Sequence, residues 1–270
     1  MKTTAKVKST IANWYAILEF NRKYDDEFYD ALDNIYVDEE ARLDGYDLKC
    51  TDGKANLLHF LYFTEALKQE YRKRGIPDSI LIDTAKDLVR WTDIYSEIKN
   101  ELYLGELSWL HFSLSGKLTK LGRLQFCPAK FGQDVIKYKI KKGDPTLDIH
   151  IPASGPLNNI QCRRSLETAK DFYKEYYPEL QFNFFNCHSW LLDPTIDDIL
   201  GEGSNITAFR KLFDLISKNP SDAILSYVVQ WGMTRERLAD FNCKTRLAKA
   251  VQKEIAAGRE FYSGLGIIMK

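Results

Sequence analysis

Leu147-Asp-Ile-His-Ile-Pro-Ala-Ser-Gly-Pro-Leu-Asn-Asn159 is the stretch on which the fold turns. Its first five residues, Leu147–Ile151, read as a β-strand, and Pro152-Ala-Ser-Gly-Pro-Leu reads as a loop. Asn158, with Gln161 three residues on, supplies the N-cap and capping-box partner of a helix over Asn159–Tyr177. Pro178 closes that helix, and the apolar run Phe182–Cys187 supplies a second strand. Strand, crossover helix and strand form a βαβ unit, whose length favours a right-handed connection between parallel strands buried on both faces. The loop before the helix offers backbone N–H groups at a helix N-terminus, where unsatisfied donors and the macrodipole both favour an anion. Every capped strand-to-helix loop offers some such donors, and the sequence has neither a Gly-x-x-x-x-Gly-Lys nor a Gly-x-Gly-x-x-Gly pattern.

Upstream of this unit, Leu121–Ala129 is rich in β-formers, and Val135–Lys141 alternates with Ile136, Tyr138 and Ile140 on one face. The alternation predicts a half-solvated strand, so that three antiparallel strands run between Leu121 and Ile151. Before Gly116 the period is helical. Leu81, Ala85, Leu88, Trp91, Tyr95 and Ile98 form one stripe of a single helix over Asp78–Lys99. Lys54–Arg74 is apolar around a wide arc and ends at Gly75, as a central helix does, and His59 within it carries no assigned role. Thr10–Phe20, Asp25–Ile35 and Leu107–Leu114 are further helices. Residues 1–105 hold one proline and carry fifteen basic against twenty acidic residues, whereas the remainder holds seven prolines and is mildly basic. The division predicts an α/β (α+β) chain, with a helical domain over 1–115 and a mixed sheet flanked by helices over 116–270, closed by a helix Thr245–Ala257 and a strand Phe261–Met269.

Composition narrows the function. With 270 residues, 44% hydrophobic and 28% charged, the chain has ample core material and is neither disordered nor fibrous. Lys+Arg and Asp+Glu both total 38, without the basic excess that phosphate neutralisation demands, so nucleic acid is not the expected partner. No apolar stretch approaches the roughly 18 residues that span a bilayer, and a reduced, cytoplasmic protein is expected. The five cysteines are scattered without a Cys-x-x-Cys pair, so neither a disulfide framework nor a zinc ribbon is encoded.

Four segments in order, Leu121-Gly-Arg-Leu-Gln-Phe, Asp148-Ile-His-Ile-Pro-Ala-Ser-Gly-Pro-Leu, Cys187-His-Ser-Trp-Leu-Leu-Asp-Pro and Ser204-Asn-Ile-x-x-Phe, resemble the acyltransferase family that joins a helical N-terminal domain to a C-terminal domain of the GNAT (N-acyltransferase) type. The resemblance implies transfer of an acyl group from acyl-CoA to an amine by direct attack. It further implies that the fourth strand (Leu147–Ile151) and fifth strand (Phe182–Cys187) splay to admit pantetheine. The CoA pyrophosphate would then lie on the loop through Ala153, Ser154, Gly155, Leu157, Asn158 and Asn159, with Asn205 approaching the cofactor. Seven residues beyond Asn205, where the superfamily places a tyrosine that protonates the thiolate, this chain has Leu212. That departure motivates the alternative of a degenerate domain that binds CoA or a related ligand as a sensor or interaction module.

Acyl transfer to an amine calls for a base near neutral pKa, and His150 at the end of the expected fourth strand suits it, with Asp148 two residues earlier on the same face to orient the imidazole or raise its pKa. His188 is the other candidate. As neighbours on an extended strand, Cys187 and His188 point to opposite faces, so a thiol dyad is disfavoured, and His150 with His188 lack the further ligands of a metal site.

Overall fold

Two helices of the first half follow a threonine and an aspartate, Thr4 and Asp52, whose side chains take up free N–H groups of the first turn. The computed structural model describes residues 2–152, 155–201 and 203–270. It divides into two units, one ending at Leu121 and the other running Gly122–Lys270. In the first, Thr4 Oγ1 accepts from Val7 N at the head of α1 (Ala5–Leu18), and α2 spans Asp25–Asn34. Asp52 Oδ1 accepts from Lys54 N and Ala55 N at the head of α3 (Gly53–Arg74), which stops at Gly75 with φ 73°. Leu57, Leu58, Phe60, Leu61, Phe63, Leu67 and Tyr71 bury α3 around most of its circumference, and α1 and α2 pack against it. His59 spends its Nδ1 on the Ala55 carbonyl at 2.8 Å, and burial lowers its pKa.

The single helix expected over Asp78–Lys99 is two, α4 (Asp78–Ala85) and α5 (Asp87–Lys99), broken at Lys86. Thr84 Oγ1 donates back to the Ile80 carbonyl at 2.8 Å and accepts from Lys120 N at 3.0 Å, a back-bond of the kind that bends helices. The buried Asp87 opens α5 and accepts from Trp109 Nε1 at 3.0 Å. The unit ends with α6 (Leu107–Phe112) and a short strand β1 (Thr119–Leu121).

The second unit is built on strands β2 (Leu124–Lys130), β3 (Pro145–His150), β4 (Phe184–Ser189), β5 (Asp214–Pro220) and β6 (Tyr262–Met269), in the spatial order β2-β3-β4-β6-β5. Only β3 and β4 are parallel; β2–β3, β4–β6 and β5–β6 are antiparallel. The helix α7 (Asn159–Tyr176) connects β3 to β4, so the βαβ unit stands, with Asn158 Oδ1 accepting from Gln161 N at 3.1 Å as the cap. Tyr173 of α7 donates its hydroxyl to the Phe126 carbonyl at 3.1 Å, and Phe126 meets Phe185 with ring centroids 5.9 Å apart. The remaining helices are α8 (Asp197–Leu200), α9 (Asn205–Arg210), α10 (Ala223–Val228), α11 (Arg235–Leu238) and α12 (Arg246–Ala256), the last capped by Thr245.

The expected strand Val135–Lys141 is absent. Residues 136–138 form a 3₁₀ turn and Ile136 is 93% exposed, while Val135 and Ile140 are buried with Phe131, Phe184 and Ile267. The backbone explains the exchange. Val135 and Ile140 trade N–H···O bonds with each other, Lys141 N and Lys142 N are captured by Asp144 and Asp134, and Phe131 N and Gly143 N close the base of the excursion. Once the polar backbone is satisfied within the loop, no ladder is needed, and the apolar residues at its two ends fill the core instead.

Candidate functional site

The parallel ladder between β3 and β4 is short. Leu147 pairs with Phe185 and Asp148 with Asn186, and there the register ends. Both strands go on: β3 stays with β2 as far as the Gln125–His150 pair, and β4 stays with β6 as far as Ser189–Gly264. Among the described residues the two inner strands therefore part beyond Asp148 and Asn186, each held by its outer neighbour.

A buried polar chain closes the base of this opening. Thr146 Oγ1 donates to Asn186 Oδ1 at 2.9 Å, and Asn186 Nδ2 donates to Asp148 Oδ1 at 3.0 Å. Asp148 Oδ2 lies 3.6 Å from His150 Nε2, too long for a hydrogen bond. The expectation that Asp148 raises the imidazole pKa meets a stronger effect: burial pushes His150 down to about 4. Burial also pushes the Asp148 carboxyl up to about 6, against the lowering effect of hydrogen bonds from Ile149 N and Asn186. An ion pair would move both groups the other way, so the contact at neutral pH joins a carboxylate to an uncharged imidazole. His188 is exposed on β4, opposite Leu265, while its neighbour Cys187 is fully buried with its thiol pushed well above the ordinary value by burial. The two point apart, as extended geometry requires, and no thiol dyad forms.

The loop before α7 is tied down by a residue that sequence reasoning passed over. Arg123 donates from Nε to the Pro156 carbonyl at 3.0 Å, from one terminal nitrogen to Pro152 at 2.9 Å and from the other to Gly155 at 3.3 Å. Its own N–H donates to Ser165 Oγ at 2.8 Å, which in turn donates to the Gln161 carbonyl at 3.0 Å. Gly122 makes this approach possible, since at φ 69° a Cβ there would stand 2.9 Å from Ser165 Oγ. The signal available in the sequence was the Gly-Arg pair at the turn into β2.

Among the expected loop residues, Ala153 and Ser154 lie outside the described residues. Gly155 has φ 66°, which suits glycine. Asn158 spends its backbone N–H on the Pro156 carbonyl at 3.0 Å, so the return half of the expected capping box is replaced by this bond. Among the described residues, the N–H groups of Leu157, Asn159 and Ile160 meet no acceptor, and the buried Oδ1 of Asn159 has no hydrogen-bond partner. Asn205 is exposed at the start of α9, which packs against α7, and α9 ends at Arg210, leaving Leu212 outside it. The described residues include no group of three or more His, Cys, Asp or Glu that could hold a metal ion.

Residues 118–268 match the family model of the GNAT-like C-terminal domain, and residues 4–116 match that of the N-acyltransferase N-terminal domain. The chain belongs to the GNAT-like acyltransferase family. No curated protein matches it. Similar solved structures are an acyltransferase in complex with decanoyl-CoA, at 29% identity and a TM-score of 0.68 over 79% of this chain, and a mutant acyltransferase in complex with octanoyl-CoA, at 26% and 0.69 over 80%. A third is an acyltransferase in complex with decanoyl-CoA and teicoplanin, again at 26% and 0.69 over 80%. This GNAT-like chain spans 65% of the first of those chains and 66% of the other two.

Proposed function

We propose that the chain is a CoA-dependent N-acyltransferase, taking the acyl group of an acyl-CoA thioester to an amine by direct attack. The observation that carries this reading is the parting of β3 and β4 immediately before a loop and helix whose Leu157, Asn159 and Ile160 N–H groups meet no acceptor among the described residues. A thioester arm entering the opening brings its diphosphate to Leu157, Asn159 and Ile160, and Gly155 lets the backbone come close. Ala153, Ser154, Asn158 and Asn205 complete the proposed CoA contacts, Asn158 through its side chain, since its N–H is occupied. The similar acyltransferases crystallised with decanoyl-CoA, octanoyl-CoA and teicoplanin support an acyl-CoA donor and motivate medium-chain thioesters as the first donors to test.

In the chemistry, the amine nitrogen attacks the thioester carbonyl carbon, the C–N bond forms and the C–S bond breaks. His150, uncharged at neutral pH and by burial a weaker base than the near-neutral one expected from sequence, takes the proton the amine sheds, and the Asp148 carboxylate 3.6 Å away stabilises the resulting imidazolium. The same proton then passes to the departing CoA sulfur, so one imidazole serves as base and acid and no tyrosine at position 212 is required. His188, exposed two residues beyond Asn186 on the same face of β4, is the side chain proposed to meet the acceptor. Release of CoA thiol from octanoyl-CoA and decanoyl-CoA, measured against a panel of amines, tests the reading. Amine-dependent release that falls by about 10²-fold or more in His150→Ala supports it, and the absence of release with every pairing contradicts it.

A further inference from the structure

We infer that Arg123 is the positioning residue of the diphosphate loop, aiming its amides from behind rather than serving as a mere surface charge. The inference rests on the acyl-CoA reading above and adds to it which side chain sets the donor geometry. Its basis is the capture of the Pro152, Gly155 and Pro156 carbonyls by one guanidinium that reaches over from the turn into β2. A planar peptide unit points its C=O and its N–H in opposite directions. With the Pro156 carbonyl turned onto Arg123 Nε, the Leu157 N–H of the same peptide unit faces away from the arginine, and among the described residues it meets no acceptor.

The arrangement is itself braced. The turn that carries Arg123 is anchored, because its backbone N–H is held by Ser165 Oγ on α7, the helix that the loop leads into, and Gly122 brings the turn into contact with that hydroxyl. A rigid fork of donors suits this task, since it can meet several carbonyls in fixed relative positions, whereas a lysine presents a single flexible point charge. The loop's one glycine, Gly155, lies between prolines at Pro152 and Pro156, and the clamp holds the carbonyls of these three residues.

The test compares two donors on the full chain: decanoyl-CoA, and decanoyl-pantetheine, which lacks the diphosphate and nucleotide. In Arg123→Gln the KM for decanoyl-CoA rises about tenfold or more with kcat little changed, while the KM for decanoyl-pantetheine stays as in the wild type. Arg123→Lys, which keeps the charge without the fork, recovers only part of the loss. A KM unchanged for both donors, or raised equally for both, overturns the inference, as does full recovery in Arg123→Lys. Should Arg123→Gln fail to fold in circular-dichroism melts, Arg123→Lys carries the same two-donor comparison. A wild-type chain that turns over neither thioester contradicts the acyltransferase reading itself, a result distinct from an unchanged ratio between donors.

Discussion

At pH 7 His150 is an uncharged imidazole beside an ionised Asp148, because burial pushes the first down to about 4 and the second up to about 6. The folded pKa of Asp148 exceeds its unfolded value, so this group makes stability fall as pH rises from about 4 to about 6. His150 is depressed below its unfolded value, so it makes stability rise between about 4 and about 6.5. In the shared window the two slopes oppose each other. Asp148→Asn is therefore expected to unmask a stability that climbs by up to about 1.4 kcal/mol per pH unit between about pH 4 and 6, and His150→Gln the reverse slope. Urea denaturation at pH 4.5, 5.2 and 6 reads both, and parallel curves for the two variants contradict the assignment. Asn186→Ala strips Asp148 of a donor and Thr146 of an acceptor, at a cost of about 1–3 kcal/mol, and raises the Asp148 pKa further. Its measure is the acid limb of kcat/KM, which moves to higher pH; an unmoved limb contradicts the link. Of these groups His150 and Asp148 were legible from their i, i+2 spacing on a strand. Asn186 and Thr146 were not, because their roles come from pairing between β3 and β4 that the local sequence does not encode.

Among elements, the strands and helices with unambiguous signals were legible: the capped α7, the apolar β4, and α12 with its Thr245 cap. Alternation failed at residues 135–141, where the same period-2 pattern accompanies a turn whose N–H groups are taken by Asp134 and Asp144. It gave no sign of β5, an edge strand exposed along most of its length and bulged between Leu215 and Ser217, whose position depends on β6. On β6 two glycines matter for packing rather than for backbone freedom. A Cβ at Gly264 would lie 2.7 Å from the Leu192 carbonyl oxygen, and one at Gly266 would lie 2.8 Å from Phe213 Cβ. Gly264→Ala must displace backbone and is expected to lose about 1–3 kcal/mol of stability. Thermal melts check this, with an unchanged Tm as the contrary result.

For the whole molecule, the change in proline use and charge along the chain carried the helical first half and the sheet of the second, while the relation of each core to its neighbours had to come from the fold. Among the described residues, no helix is long and apolar enough to cross a membrane. The five cysteines are free, four of them buried and Cys50 half-buried. Titration of the native chain with a thiol reagent is expected to show one fast-reacting thiol, Cys50, and five after denaturation. Because Cys187 is buried with its thiol pushed well up, acyl transfer is expected to survive that native labelling; loss of activity on a timescale matching Cys187 modification contradicts a direct-attack route.

The claim beneath all of this is that the parted ends of β3 and β4, with the loop into α7, receive an acyl-CoA. Calorimetric titration of the full chain with CoA and decanoyl-CoA tests it most directly. The account predicts saturable binding at one site per chain, with stability raised by about 1.4 kcal/mol at a ligand concentration tenfold above Kd. No heat and no stabilisation with either ligand contradicts it.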